Sequence, residues 1–262
     1  MSQAQGASPR WALILGVSSG FGAECGIALA GAGFEICGVH LDRKASLPQV
    51  EQVKSAIEKL GRRALFFNVN AADPQKRTEV LDQLQADGAR VAVLLHSLAF
   101  GALKPFIGED AINEQQMDMT LTVMAHSLVY WTQDAFRRGL LTRGARVFSM
   151  TSSGSTRAIA SYGAVSAAKA ALESHTRQLA YELAQHGIAV NALRAGVTDT
   201  PAARKIPGSD KLFEGAARKN PGKRLTTPAD VAGALVALCH PEAGWLTGNV
   251  INVDGGEEIS AG

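Results

Sequence analysis

Tyr162 and Lys169 stand seven positions apart in S161-Y162-G163-A164-V165-S166-A167-A168-K169. A phenol has an ordinary pKa of about 10 and donates a proton poorly at neutral pH until a nearby cation stabilises its phenolate. The lysine must therefore share a face with it. On a helix, residues at i and i+7 lie on one face two turns apart, just as i and i+4 lie one turn apart. The position four before the lysine is Val165, which has no proton to give.

A second set of residues lies near the N-terminus. After the apolar run WALILG (11–16), L15-G16-V17-S18-S19-G20-F21-G22 leads into a small-residue helix from Ala23 to Ala30. Glycines there let the backbone turn tightly, approach a pyrophosphate and pack helix on sheet. A helix N-terminus adds unpaired N–H groups and a positive dipole end. In a chain with 27 glycines the spacing alone says little. Its place between the first strand and the first helix says more.

The elements that must hold these sets read clearly along the chain. Strand candidates are 11–16, 34–41, 63–69, 89–97, 145–152, 189–196 and 249–256, and helical patterns fill 21–31, 48–60, 74–86, 111–138, 162–186 and 228–239. Strands apolar throughout, each followed by a helix, argue for a parallel sheet covered on both faces. The expectation is an α/β, single-domain doubly wound Rossmann fold, a mostly parallel seven-stranded sheet with helices on both faces. A chain of 262 residues, 46% hydrophobic, can bury such a core as one domain spanning 1–262.

Twenty-six Lys plus Arg against 24 Asp plus Glu leave a net charge of +2, which gives no reason to invoke nucleic acid or a membrane surface. Cys25, Cys37 and Cys239 form no C-x-x-C pair, so neither a zinc site nor a disulfide framework is expected, and buried reduced thiols fit a cytoplasmic protein. The opening MSQAQGASPRWALILG has no basic segment followed by a long apolar one, and no apolar run is long enough to span a membrane. The stretch 197–227 reads as irregular, broken by Pro and Gly, and carries seven Lys or Arg (204, 205, 211, 218, 219, 223 and 224). Such long loops are commonly lids, and its basic excess suits either an acidic partner or a solvated surface.

Over nearly its whole length the sequence resembles the short-chain dehydrogenase/reductase family. The resemblance is carried by the glycine loop, the Tyr/Lys helix, N191-A-L-R-A-G-V-T-D-T200 and L246-T-G-N-V-I-N-V-D-G-G256. It implies a nicotinamide cofactor held by Gly16, Ser18, Ser19, Gly20, Phe21 and Gly22, by Asn68 and Val69 at the adenine, and by Ser97, Leu98, Lys169, Gly196, Thr198 and Thr200 near the nicotinamide. An acidic residue ending the second strand would take the ribose hydroxyls and repel a 2′-phosphate. His40 stands there, followed by Asp42, Arg43 and Lys44. A histidine and two cations favour NADPH, while Asp42 keeps NADH open.

Carbonyl-reducing members have Tyr four before Lys, Ser thirteen before that Tyr, an N-N-A-G turn and an Asn in the next helix. Here the serine position is Ser152, but Val165, H96-S-L-A-F-G101 and Met124 replace the other three. These departures resemble the enoyl-acyl-carrier-protein reductases. That branch has Tyr-x6-Lys, an H-S-I/L-G/A-F turn, G154-S-T-R157 leading to Tyr162, and Ala195-Gly196 for Pro-Gly. Many of its members carry a second Tyr at position 152, and an NADPH-using type has Ser.

The resemblance implies catalysis by Tyr162, Lys169 and Ser152, with Ser152 alternatively a strand cap. Phe100 and Gly101 would touch a thioester carried by acyl carrier protein or coenzyme A. His96 reads as a structural turn histidine, and Tyr130 and Trp131 as core or subunit interface. A homotetramer is expected from the family. Three readings stay open: an enoyl-thioester reductase of fatty acid synthesis, a 3-oxoacyl or other ketone reductase, and a nucleotide-binding scaffold without turnover.

Overall fold

A computed structural model describes residues 9–261. The first eight residues, part of the opening read above for an export signal, lie outside that range. Seven strands form one parallel sheet in the order β3-β2-β1-β4-β5-β6-β7. They are β1 (Arg10–Leu15), β2 (Glu35–His40), β3 (Ala64–Asn68), β4 (Arg90–His96), β5 (Leu141–Thr151), β6 (Ala189–Ala195) and β7 (Val250–Val253). Every side chain from Trp11 to Leu15 is fully buried, as a central strand covered on both faces requires.

Alternation along β1 divides the core into two layers. Trp11, Leu13 and Leu15 pack with α3 (Pro74–Ala86), α5 (Ser127–Arg137) and α6 (Gly163–Leu183). Ala12 and Ile14 pack with α1 (Gly20–Gly31), α2 (Leu47–Lys59) and α8 (Pro228–Leu238). The strand order reverses between β1 and β4, so the crevice at their carboxyl ends is where such a sheet binds ligands.

Three elements differ from their sequence reading. The helix expected over 111–138 is α4 (Glu114–Leu121), one π turn (Thr122–His126) and then α5. The stretch 197–227 contains an eleven-residue helix, α7 (Ser209–Lys219), which follows Pro207 and a left-handed Gly208 at φ 77°. Pro and Gly there punctuate a helix instead of abolishing one. Finally, α6 begins at Gly163, which leaves Tyr162 as its N-cap at φ −102°, ψ 2°.

Candidate active site

The carboxyl ends of β1, β4, β5 and β6 surround a cleft made of two adjoining cavities. One, of about 230 Å³, is lined by Ser97, Leu98, Ser152, Tyr162, Lys169 and Thr198 among others. The second, of about 300 Å³, is lined by Gly16, Ser18, Ser19, Gly20, His40 and Val69. Phe21, Ser97, Leu98, Thr200, Ala202 and Lys205 border both, which makes them one continuous cleft.

At the glycine-loop end, close approach dictates the residue type. Gly16 has φ 92°, and a Cβ there would come within 2.4 Å of the Ser97 carbonyl oxygen. A Cβ on Gly22 would lie 1.8 Å from the Gly16 oxygen, so this glycine seats α1 against the loop without lining the cleft. The N-cap of α1 is Ser19, whose side chain makes no capping bond. First-turn N–H groups therefore stay available to an anion. A cradle of bare α-carbons ending on free helix N–H groups fits the pyrophosphate of a nicotinamide dinucleotide.

At the other end of this cavity, His40 is 6% exposed and its Nδ1 lies 3.0 Å from Asp42 Oδ2. Asn68 points elsewhere: the Asp42 amide donates to its Oδ1 and its Nδ2 donates to the Asp42 carbonyl, both at 2.9 Å. It clips β3 to the loop after β2, while Asn70 lines the cleft beside Val69. Arg43 caps a short turn over Lys44–Ser46 and does not line the cleft.

The position of Tyr162 is set by its neighbours. Ser161 before it is left-handed at φ 58°, a conformation costing a non-glycine about 1–2 kcal/mol. The tyrosine ring lies on Gly154 of the short turn Ser153–Ser155, where a Cβ would come within 2.7 Å of Cε1. Burial pushes the phenol pKa up and Ser152 acts to lower it. No hydrogen bond joins the two in standard geometry, and Ser152 Oγ is buried without a partner. That hydroxyl faces the same cavity with a bond still to make.

Lys169 is 6% exposed and donates from Nζ to the Met150 carbonyl at 2.6 Å. Burial pulls its pKa down to about 8, and Glu173, one turn along α6, acts in the opposite direction. Where a carbonyl reducer would have Tyr and Asn, Val165 and Met124 are 4% and 2% exposed and form apolar wall. Gly101 fits between them, since a Cβ there would meet Val165 Cγ2 at 2.8 Å and Met124 Sδ at 3.0 Å. Phe100, 54% exposed, lies at the cofactor end of the cleft. Gly196 and Thr198 line the Tyr162 end and Thr200 both.

His96 is fully buried, its pKa down to about 3 by burial, and so neutral. Ser127 Oγ donates to the Val123 carbonyl at 2.8 Å, so the 2.8 Å contact with His96 is a bond donated by imidazole Nε2. This ties β4 to the first residue of α5 and lies outside the cavity lining. Trp131 is core, donating to the Ala71 carbonyl, while Tyr130 is 41% exposed under Arg77. Cys25 and Cys37 are buried free thiols and Cys239 is half-buried.

The family model described as Enoyl-(Acyl carrier protein) reductase matches residues 16–258, nearly the whole described chain. This protein is a short-chain dehydrogenase/reductase. It belongs to that family in the part the model describes, and it is an NAD(P)H-dependent oxidoreductase.

The reductase is 28% identical over 249 residues to Enoyl-[acyl-carrier-protein] reductase [NADH] FabI of Aquifex aeolicus, covering 95% of this chain and 91% of that protein. It is 26% identical over 251 residues to 1-cyclohexenylcarbonyl-CoA reductase of Streptomyces collinus, covering 95% and 87%. A crystal structure of a short chain dehydrogenase from Burkholderia cenocepacia in complex with NADP is 28% identical, with a TM-score of 0.83 over 96% of this chain and 98% of that one. These relatives differ in substrate and in cofactor.

Proposed function

We propose that this reductase reduces a trans-2-enoyl thioester of fatty acid synthesis, with Tyr162, Lys169 and Ser152 as its catalytic residues. The observation that supports this most is the pairing of Tyr162 and Lys169 in one cavity whose carbonyl-reducer positions, Val165 and Met124, are apolar. In a ketone the charged oxygen sits on the carbon that accepts hydride. In an enoyl thioester it lies two atoms further on, and a phenol displaced along the chain from position 165 to 162 suits that geometry.

When bound, the cofactor's nicotinamide supplies hydride to the β-carbon. Tyr162 O–H donates a hydrogen bond to the thioester oxygen as enolate charge builds there. Lys169 would hold the nicotinamide ribose and, as a cation in the same cavity, would support the phenol electrostatically. Ser152 Oγ, buried and unpartnered, supplies a second bond to that oxygen. Leu98, Leu103, Ile159, Ile206 and Leu212 give the cavity an apolar wall for an acyl chain.

For the cofactor, NADPH is the preferred form in this reading and NADH the alternative. His40 lines the cleft where an acidic residue would repel a 2′-phosphate, and the Asp42 carboxylate is engaged by its ring at 3.0 Å; Arg43 and Lys44 follow in the chain but lie outside the cleft lining. A lower KM for NADH than for NADPH would reverse it. The stretch 197–227 acts as the substrate lid, placing Lys205, Ile206 and Leu212 on the cavity. Arg204 and Arg224 are paired with Asp199 and Asp230, which leaves exposed Lys205, Lys211 and Arg218 to face the acidic carrier protein; a coenzyme A thioester is the other possible substrate form.

The fully assembled enzyme is a cytoplasmic homotetramer in this reading. Exposed Tyr181 and Trp245, 82% and 97% accessible, are consistent with burial against other copies, and sedimentation would show a monomer if this is wrong. No helix among the described residues is long and apolar enough to cross a membrane. A ketone-reducing alternative rests on Ser152, which keeps its place beside Tyr162. The experiment that decides is oxidation of NADPH and NADH with crotonyl and acetoacetyl thioesters in parallel.

A further inference from the structure

We propose that Glu173, clamped by Arg194, is the positioning residue that keeps Lys169 charged and steadies the turn beneath Tyr162. The inference rests on the reductase reading above. Glu173 follows Lys169 by one turn on α6, and the two are 7% and 6% exposed. The carboxylate oxygen Oε1 accepts from Thr151 Oγ1 at 2.7 Å and from Arg194 Nη2 at 3.1 Å. Sheet register builds this contact, because Thr151 of β5 pairs directly with Arg194 of β6. The residue before Thr151 is Met150, whose carbonyl receives the Lys169 ammonium. Helix periodicity and strand pairing thus bring acid, cation and lysine to one place.

Arg194 reaches a second group. Its Nη2 also donates to Ser155 Oγ at 3.3 Å. Ser155 closes the turn whose Gly154 carries the Tyr162 ring and whose preceding residue is Ser152. One guanidinium therefore links the strand ends to the platform under the phenol. A lone buried carboxylate would be costly, so the arginine is what allows an acid to sit one turn from the lysine. Burial works against the lysine's charge, and Glu173 is the group that opposes it.

The test is the pH dependence of Glu173→Gln, a near-isosteric change. Lys169 then releases its proton at lower pH, so the alkaline limb of kcat/KM moves down by about one pH unit. NAD(P)H binding, followed by fluorescence, weakens across the same interval. The double variant Glu173→Gln, Arg194→Met removes the acid and its guanidinium together, so no unpaired arginine is left in the strand ends, and the limb is expected to move down by less than in the single variant. Arg194→Lys keeps a cation beside Glu173 without the fork to Ser155, so kcat falls while the limb stays in place.

Profiles of Glu173→Gln and the double variant that superimpose on the parent enzyme, with only the melting temperature lowered, would reduce the pair to a structural role and overturn the proposal. Cofactor binding reports on Lys169 without any thioester. Failure of the substrate reading would therefore leave this test intact.

Discussion

Tyr162 is the residue on which the proposed chemistry turns, and burial pushes its pKa up more than Ser152 lowers it. Its proposed role is to donate a hydrogen bond to developing charge, so its absence should be felt in turnover. Tyr162→Phe is expected to lower kcat by about 100-fold or more, the usual worth of one oxyanion donor, with cofactor Kd little changed. Unchanged turnover in stopped-flow and steady-state assays would remove the assignment.

Lys169 gives a prediction of the opposite kind. Its pKa falls from an ordinary 10.5 to about 8 on folding, so between those values the unfolded chain binds more protons and stability rises with pH. Below about 8 the buried charge costs stability in full. Lys169→Met should therefore raise the melting temperature at pH 7, and the gain should shrink as pH approaches 10.5, while activity is lost. A variant that melts lower than the parent at pH 7 would contradict this.

At the scale of elements, the strands were legible because both faces of the sheet are buried. An apolar run such as Trp11–Leu15, short and followed by a glycine turn, fits a strand covered on both faces. What escaped reading has physical reasons. The π turn at Thr122–His126 leaves no mark in composition, although it places Met124 in the cavity wall. Helix α7 is short, exposed on one side and bracketed by Pro207 and Pro221, so its pattern resembled loop.

The family resemblance puts Asn68 at the adenine because it ends the third strand. Its amide is spent on the Asp42 backbone, and no local signal distinguishes it from Asn70. Of the roles expected for the loop glycines, Gly22 takes the packing one, and its close contact with Gly16 is visible only in three dimensions. Tyr162 and Lys169 share a cavity although the helix begins one residue after the tyrosine.

The left-handed Ser161 aims the tyrosine into the cleft, so backbone strain there belongs to the α6 entrance. Ser161→Gly should relieve part of that cost and hold kcat near its parent value, whereas the β-branched Ser161→Val should lower both the melting temperature and kcat. Equal melting temperatures and turnover for the two would show that the turn does not position the phenol.

For the whole molecule, a net charge of +2 says nothing of a partner, and the distribution over the lid says more. Reversing Lys211 and Arg218 to Glu should raise KM for a carrier-protein substrate several-fold more than for the coenzyme A equivalent, because only the carrier presents an extended acidic surface. Equal losses on both would show that the lid charges serve the cavity alone. The cleft itself is assembled from the ends of β1, β4, β5 and β6 and from α6, so its integrity tests the fold as much as any residue does.

The central claim is that the seven-residue spacing, with Val165 and Met124 apolar, makes an enoyl reductase and not a ketone reductase. Following NAD(P)H absorbance with crotonyl and acetoacetyl thioesters side by side tests it most directly. Oxidation with crotonyl and none with acetoacetyl is the predicted result; oxidation with acetoacetyl alone would contradict it.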